Sequence, residues 1–102
     1  MSLDITILDK AGGPKEGIPL TVDEHWAFAS EAQRMHLELW SRMSDYYEDA
    51  DYEVEEVGRL SQETEKLQKV FSTGNLAEKL RRISELLQVA ANERSAVSAI
   101  AD

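Results

Sequence analysis

Leu3-Asp4-Ile5-Thr6-Ile7-Leu8, then Lys10-Ala11-Gly12-Gly13-Pro14-Lys15-Glu16-Gly17, then Ile18-Pro19-Leu20-Thr21-Val22 is the stretch that decides the fold class. Leu3, Ile5 and Ile7 fall on one side of an extended chain and Asp4 and Thr6 on the other. A period of two is the mark of a half-buried strand, here over 3–8. The middle segment is dense in turn formers. Ile18, Leu20 and Val22 alternate again, which predicts a second strand over 17–22. Pro19 has no N–H to give a ladder, so this strand belongs at a sheet edge. An isolated hairpin is marginal in water, so its apolar face must pack on something else.

Downstream the period changes to that of a helix. Asp23 suits an N-cap, and Glu24 suits the positive start of a helix. Trp26, Phe28, Ala29, Ala32, Met35, Leu37, Leu39, Trp40 and Met43 spread over roughly 200° of a helical wheel. So wide an arc predicts one long, locally irregular helix touched on several sides, with a bend near His36–Glu38 as the alternative. Val54, Val57, Leu60, Thr64, Leu67 and Phe71 recur at three and four residues, with Asp51 as the expected cap and Gly58 as a weak point. Gly74 suits the stop and Asn75 the next cap. Leu76, Leu80, Ile83, Leu86, Leu87 and Ala90 then give the clearest stripe, with Leu80, Ile83 and Leu87 at its centre. Val97 and Ile100, β-branched and set after a polar stretch, predict a third strand over 96–101 beside the first. The expected fold class is α+β: one domain spanning 1–102, with a small antiparallel sheet packed on three or four helices.

Charge is unevenly spread over the 102 residues. Residues 1–58 hold fourteen acids and four bases, while 59–102 hold six acids and seven bases. The formal charge of −9 therefore belongs to the first half. Its densest part is Asp45-Tyr46-Tyr47-Glu48-Asp49-Ala50-Asp51-Tyr52-Glu53-Val54-Glu55-Glu56, with seven carboxylates, three tyrosines and no base. Such a balance argues against nucleic acid and anionic membranes, which call for basic surfaces. No cysteine is present, so disulfides and thiolate metal sites are ruled out. Met1-Ser2-Leu3-Asp4 lacks the charged and apolar regions of a secretory signal, and no apolar run nears the roughly 20 residues of a membrane span. The cytoplasm is the expected compartment.

Motifs for chemistry fail on inspection. A calcium loop begun at Asp45 places Asp49, Glu53 and Glu56 at ligand positions, but Tyr47 falls at the third and Ala50 at the sixth, where glycine is needed. No metal or other cofactor is expected. His25 and His36 would lie about 16 Å apart along one helix, too far to share an ion, and both read as hydrogen-bonded core or interface residues. Gly12-Gly13 lacks the lysine and helix of a phosphate loop, and no serine sits in a nucleophile elbow. Trp26 and Trp40 read first as core, with one of them as an alternative interface aromatic. Lys79, Arg81 and Arg82 read as a solvated basic face, with pairing to acids of a second copy or a neighbouring helix as the alternative. Opposite fields steer association and tyrosines anchor interfaces, so the acidic segment reads as a partner-docking surface. Its expected contact residues are Asp45, Tyr46, Tyr47, Glu48, Asp49, Asp51, Tyr52 and Glu53.

Three stretches are suggestive together: L-D-I-T-I-L-D at 3–9, L-W-S-R-M-S-D-Y-Y-E-D-A-D-Y at 39–52, and A-V-S-A-I-A-D at 96–102. The ensemble resembles small, acidic bacterial proteins encoded as orphan or toxin-neighbouring genes, some of which serve as immunity proteins. That resemblance implies a protein that binds and blocks a toxin, and it implies no catalytic residues. The expected function is a non-enzymatic inhibitor or immunity protein occluding a basic partner, as a monomer or homodimer. A helical adaptor or homodimer using the apolar face of 26–43 is the alternative. An enzyme built on Asp45, Glu48, Asp49, the histidines and a bound cation ranks third.

Overall fold

In a computed structural model describing all residues from Met1 to Asp102, the chain runs β1 (Leu3–Leu8), β2 (Pro14–Leu20), α1 (Val22–Arg34), α2 (Glu38–Ser41), β3 (Ala50–Tyr52), α3 (Val54–Val70), α4 (Gly74–Glu93) and β4 (Val97–Ala101). The fold is α+β. One antiparallel sheet has the order β2-β1-β4-β3. The hairpin forms as its alternation requires, and the closing segment lies beside β1, with Ile5 opposite both Ile18 and Ala99.

Alternation sets which sheet face is covered. Leu3, Ile5, Ile7, Ile18, Leu20, Ala50, Tyr52, Val97 and Ala99 all join one core with residues of the four helices. The opposite face carries Asp4, Thr6, Gly17, Pro19, Asp51 and Ser98. Gly17, Thr6, Ser98 and Asp51 make one row across the strands. Gly17 fits there because a Cβ would stand 2.8 Å from Thr6 Oγ1. Both sheet edges are blunted, as edges must be to resist pairing with other chains. Pro14, Lys15, Glu16 and Pro19 occupy β2, and the Arg42 guanidinium donates to the Asp51 carbonyl on β3 at 3.2 Å.

Several boundaries differ from the sequence reading, each for a local reason. The second strand is Pro14–Leu20 rather than 17–22, because Thr21 starts a helix. Thr21, not Asp23, is the N-cap: its hydroxyl accepts from Glu24 N while the Glu24 carboxylate accepts from Thr21 N, a capping box. The expected long helix is two helices. His36 takes a left-handed φ of 58°, and Leu37 N donates back to Ala32 O at 2.9 Å, closing α1 with a Schellman-type turn. The same device ends α4, where Arg94 has φ 54° and Ser95 N donates to Ala90 O. Asp51 lies in a strand, so Glu53 flanks α3 instead. Thr73 replaces Asn75 at the start of α4, whose first residue Gly74 has a positive φ of 84°.

The broken helix changes where the apolar arc points. Phe28, Ala32, Leu37, Leu39, Trp40 and Met43 are all buried. Much of the apolar arc of residues 26–43 is therefore spent inside the molecule, while Trp26 stays exposed. Short α2 is fixed by α3: Glu63 accepts from the N–H groups of Leu39 and Trp40, and Thr64 Oγ1 accepts from Trp40 Nε1 at 2.9 Å.

Gly58 sits exposed inside α3 with open space where a Cβ would go. Gly58→Ala should therefore add about 1 kcal/mol by helix propensity. For a domain of this size the melting temperature should rise by about 4–8 °C. Differential scanning calorimetry reads the shift directly, and a fall would mean that α3 is not helical at this position.

Candidate docking surface

The acidic segment is built as a turn, a strand and a helix start. After α2, Asp45 Oδ1 accepts from Tyr47 N at 2.8 Å, a local turn that aspartate favours. This turn sends neighbouring tyrosines opposite ways. Tyr46 goes inward, 8% exposed, and its hydroxyl lies 3.2 Å from both the Leu20 and Met1 carbonyls. Its ring packs against His25 at 5.3 Å, and His25 Nε2 meets the Met43 carbonyl at 2.5 Å. Tyr47 goes outward, 65% exposed, with its ring edge-on to Tyr46 at 5.3 Å.

Asp49 and Asp51 tie the segment to β4. Asp49 Oδ1 accepts from Ala101 N at 2.7 Å, and Asp51 Oδ1 accepts from Ser98 Oγ at 2.6 Å. Alternation along β3 turns Ala50 and Tyr52 into the core and Asp51 outward. Tyr52 is 1% exposed, and its hydroxyl donates to the Leu39 carbonyl at 2.5 Å. Burial pushes its pKa well above the usual range, and burial likewise raises that of Tyr46. Arg42 lies 5.4 Å from the Tyr52 ring centroid and grips Glu56 with two nitrogens.

Six of the eight expected contact residues thus reach the surface: Asp45, Tyr47, Glu48, Asp49, Asp51 and Glu53. Tyr46 and Tyr52 do not. Both are core tyrosines whose hydroxyls satisfy buried backbone carbonyls, and neither is available to a partner. The histidines also part: His25 is buried and hydrogen-bonded, whereas His36 is exposed at the end of α1. The two tryptophans divide as well, Trp40 being buried and Trp26 71% exposed. Of the basic cluster, Arg81 bridges Glu78 and Glu85 on its own helix, while Lys79 pairs with Glu24 of α1.

Glu56 is the titrating group with a clear consequence. The Arg42 guanidinium, and secondarily the Glu53 N–H, hold its carboxyl down at about 2. A folded pKa below the unfolded one adds stability that is present above about pH 4.5 and fades as pH falls toward 2. Glu56→Gln should therefore lower the melting temperature at pH 7, with the gap to the parent closing between pH 5 and pH 2. A gap that stays constant over that range would mean that the charge of the Glu56 carboxylate does not carry the stabilisation.

The surface has no cleft. The four shallow grooves, of about 230–370 Å3, are lined by residues outside 45–53. No three histidine or carboxylate groups are placed to hold a metal ion, and no helix is long and apolar enough to cross a membrane. The chain matches no protein-family model, no curated protein and no solved structure.

Proposed function

We propose that this is a non-enzymatic, cytoplasmic protein-binding module that docks a basic partner on the face formed by Asp45, Tyr47, Glu48, Asp49, Asp51 and Glu53. The observation that carries this reading is the opposite fate of adjacent tyrosines. Tyr46 is locked into the core, and that anchor presents Tyr47 outward among carboxylates with no base between residues 43 and 58. An exposed aromatic in an acidic rim suits a partner whose own field is positive, because charge guides encounter while aromatic area holds the complex. Inhibition of a nuclease-type toxin fits such chemistry, since a carboxylate surface can compete with phosphate for a positive cleft.

Photocrosslinking tests the reading. With p-benzoylphenylalanine at Tyr47, or at Val89 on α4 as a control, irradiation in the native cell should give an adduct with a basic protein from position 47 alone. Equal adducts from both positions, or an acidic protein as the sole adduct, would count against it.

A further inference from the structure

The exposed large hydrophobic residues are not scattered at random. Met1 is 86% exposed, Trp26 71%, Tyr47 65% and Val22 51%, and each either touches the buried Tyr46 or lies within two residues along the chain of one that does. The Tyr46 hydroxyl meets the carbonyl of Met1 itself and that of Leu20, two residues before Val22. Its ring packs edge-on against Tyr47 and at a tilt against His25, the residue preceding Trp26. Ring contact between His25 and Tyr46 at 5.3 Å keeps the Trp26 and Tyr47 backbones within roughly 25 Å, since neighbouring Cα atoms are ~3.8 Å apart. That span fits within one interface of ordinary size, about 800 Å2 per partner. Val22 and Trp26 are neighbours on one flank of α1, being four residues apart. The remaining exposed valines, Val54, Val70 and Val89, lie on α3 and α4.

Apolar surface gathered in one region and rimmed by polar residues is the pattern of an interaction site. Its rim is acidic. Asp23 stands three residues before Trp26 on the same helix, Asp45 and Glu48 flank the Tyr46–Tyr47 pair, and Asp4 and Glu24 lie near enough to Tyr46 to disfavour its ionisation. Lys79 is the side-chain base at this rim, and it is engaged by Glu24 and the Pro19 carbonyl. Exposed aromatic rings near carboxylates suit one cation above the others. Guanidinium is planar and weakly hydrated, so it stacks on aromatic rings while its N–H groups reach carboxylates, whereas ammonium holds its water. The chain uses the same chemistry internally, with Arg42 above the Tyr52 ring and bonded to Glu56.

We propose that Met1, Val22, Trp26 and Tyr47 form the apolar centre of the docking surface, and that its occupant is an arginine-bearing face of a basic protein, with guanidinium stacked on Trp26. This inference rests on the docking reading above and extends it from the acidic segment onto α1. Trp26 becomes the principal anchor.

Decamers of arginine and of lysine serve as probes, titrated at low salt into the isotope-labelled protein while the Trp26 indole N–H is followed. Trp40, buried and bonded to Thr64, is the internal control. The arginine decamer should bind about 3–10-fold more tightly than the lysine decamer, the factor expected of an exposed-to-partly-desolvated cation–π contact. Trp26→Ala and Trp26→Leu should both remove that preference without changing the melting temperature, while Asp45→Asn/Glu48→Gln/Asp49→Asn should weaken both probes alike. If the neutralised triple variant weakens binding but arginine and lysine bind equally, the aromatic centre is wrong and the acidic docking surface stands. If neither decamer binds, both readings fall. Self-association that Trp26→Ala abolishes in sedimentation would place a second copy on the patch and overturn the assignment to a basic partner.

Discussion

Alanine at Trp40 is expected to lower stability by about 3–5 kcal/mol, the range for emptying a large aromatic site in a core. The indole is fully buried, edge-on to Phe28 at 6.1 Å, and Phe28 is in turn edge-on to Phe71 at 5.3 Å. Three elements therefore lose packing together: α1, α2 and the end of α3. The indole N–H also supplies a bond to Thr64, whose own hydroxyl donates to the Leu60 carbonyl at 2.9 Å. Trp40→Phe should cost less, since it keeps ring area and loses mainly the hydrogen bond and some volume. Against a total of about 5–15 kcal/mol for a domain of this size, the alanine variant loses a large share. Urea unfolding measures both costs. A Trp40→Ala protein as stable as the parent would mean that α2 does not dock where Glu63 and Thr64 hold it.

Leu80→Ala and Leu87→Ala should each cost about 2–5 kcal/mol. Both leucines are fully buried on α4, with Ile83 between them, where the helix packs against α3 and the inner face of the sheet. Two helical turns separate them, roughly 10.5 Å along the axis. At that distance the two cavities are nearly independent, and the double variant should lose close to the sum of the single losses. Such a sum approaches or exceeds the whole stability, so the double variant should be unfolded at 25 °C by circular dichroism. If both single variants melt like the parent, α4 does not supply the centre of the core.

The elements that could be read from sequence are those whose periodicity runs long enough to outweigh local exceptions. Leu3–Ile7 and Leu76–Ala90 alternate cleanly at two and at three-to-four residues, and both packed as that pattern requires. The break between α1 and α2 carried no glycine or proline to announce it. His36 supplies the left-handed residue, one of the few non-glycine types enriched in that conformation, and Arg94 does so at the end of α4. With no visible stop, two apolar faces on two helices merged into one over-wide arc. The strand β3 was hidden differently. Ala50-Asp51-Tyr52 does alternate, but three residues inside a run of carboxylates are too few to show a period. The Thr21-x-x-Glu24 capping box, by contrast, was present in the sequence and would have placed the start of α1 correctly.

Burial of the tyrosines was the least legible part of the site. Tyr46, Tyr47 and Tyr52 share one acidic context, and only strand alternation and the turn at Asp45 sort them into two core residues and one surface residue. Their hydroxyls allow either fate, because a phenol can satisfy a buried carbonyl as readily as it meets water. Asp45 and Asp49 carry structural hydrogen bonds besides their charge. Asparagine keeps those acceptors and removes the charge, which isolates electrostatics from folding in a way that lysine does not.

That separation gives the most direct test of the docking surface. With the partner captured at position 47 in hand, its association rate is measured by stopped flow for the parent and for Asp45→Asn/Glu48→Gln/Asp49→Asn, at low and high salt. The neutralised protein should associate about tenfold more slowly at ~0.02 M salt, and the difference should shrink strongly by ~0.3 M as steering is screened. Equal association rates for the two proteins at low salt would contradict an electrostatically guided docking surface at residues 45–53.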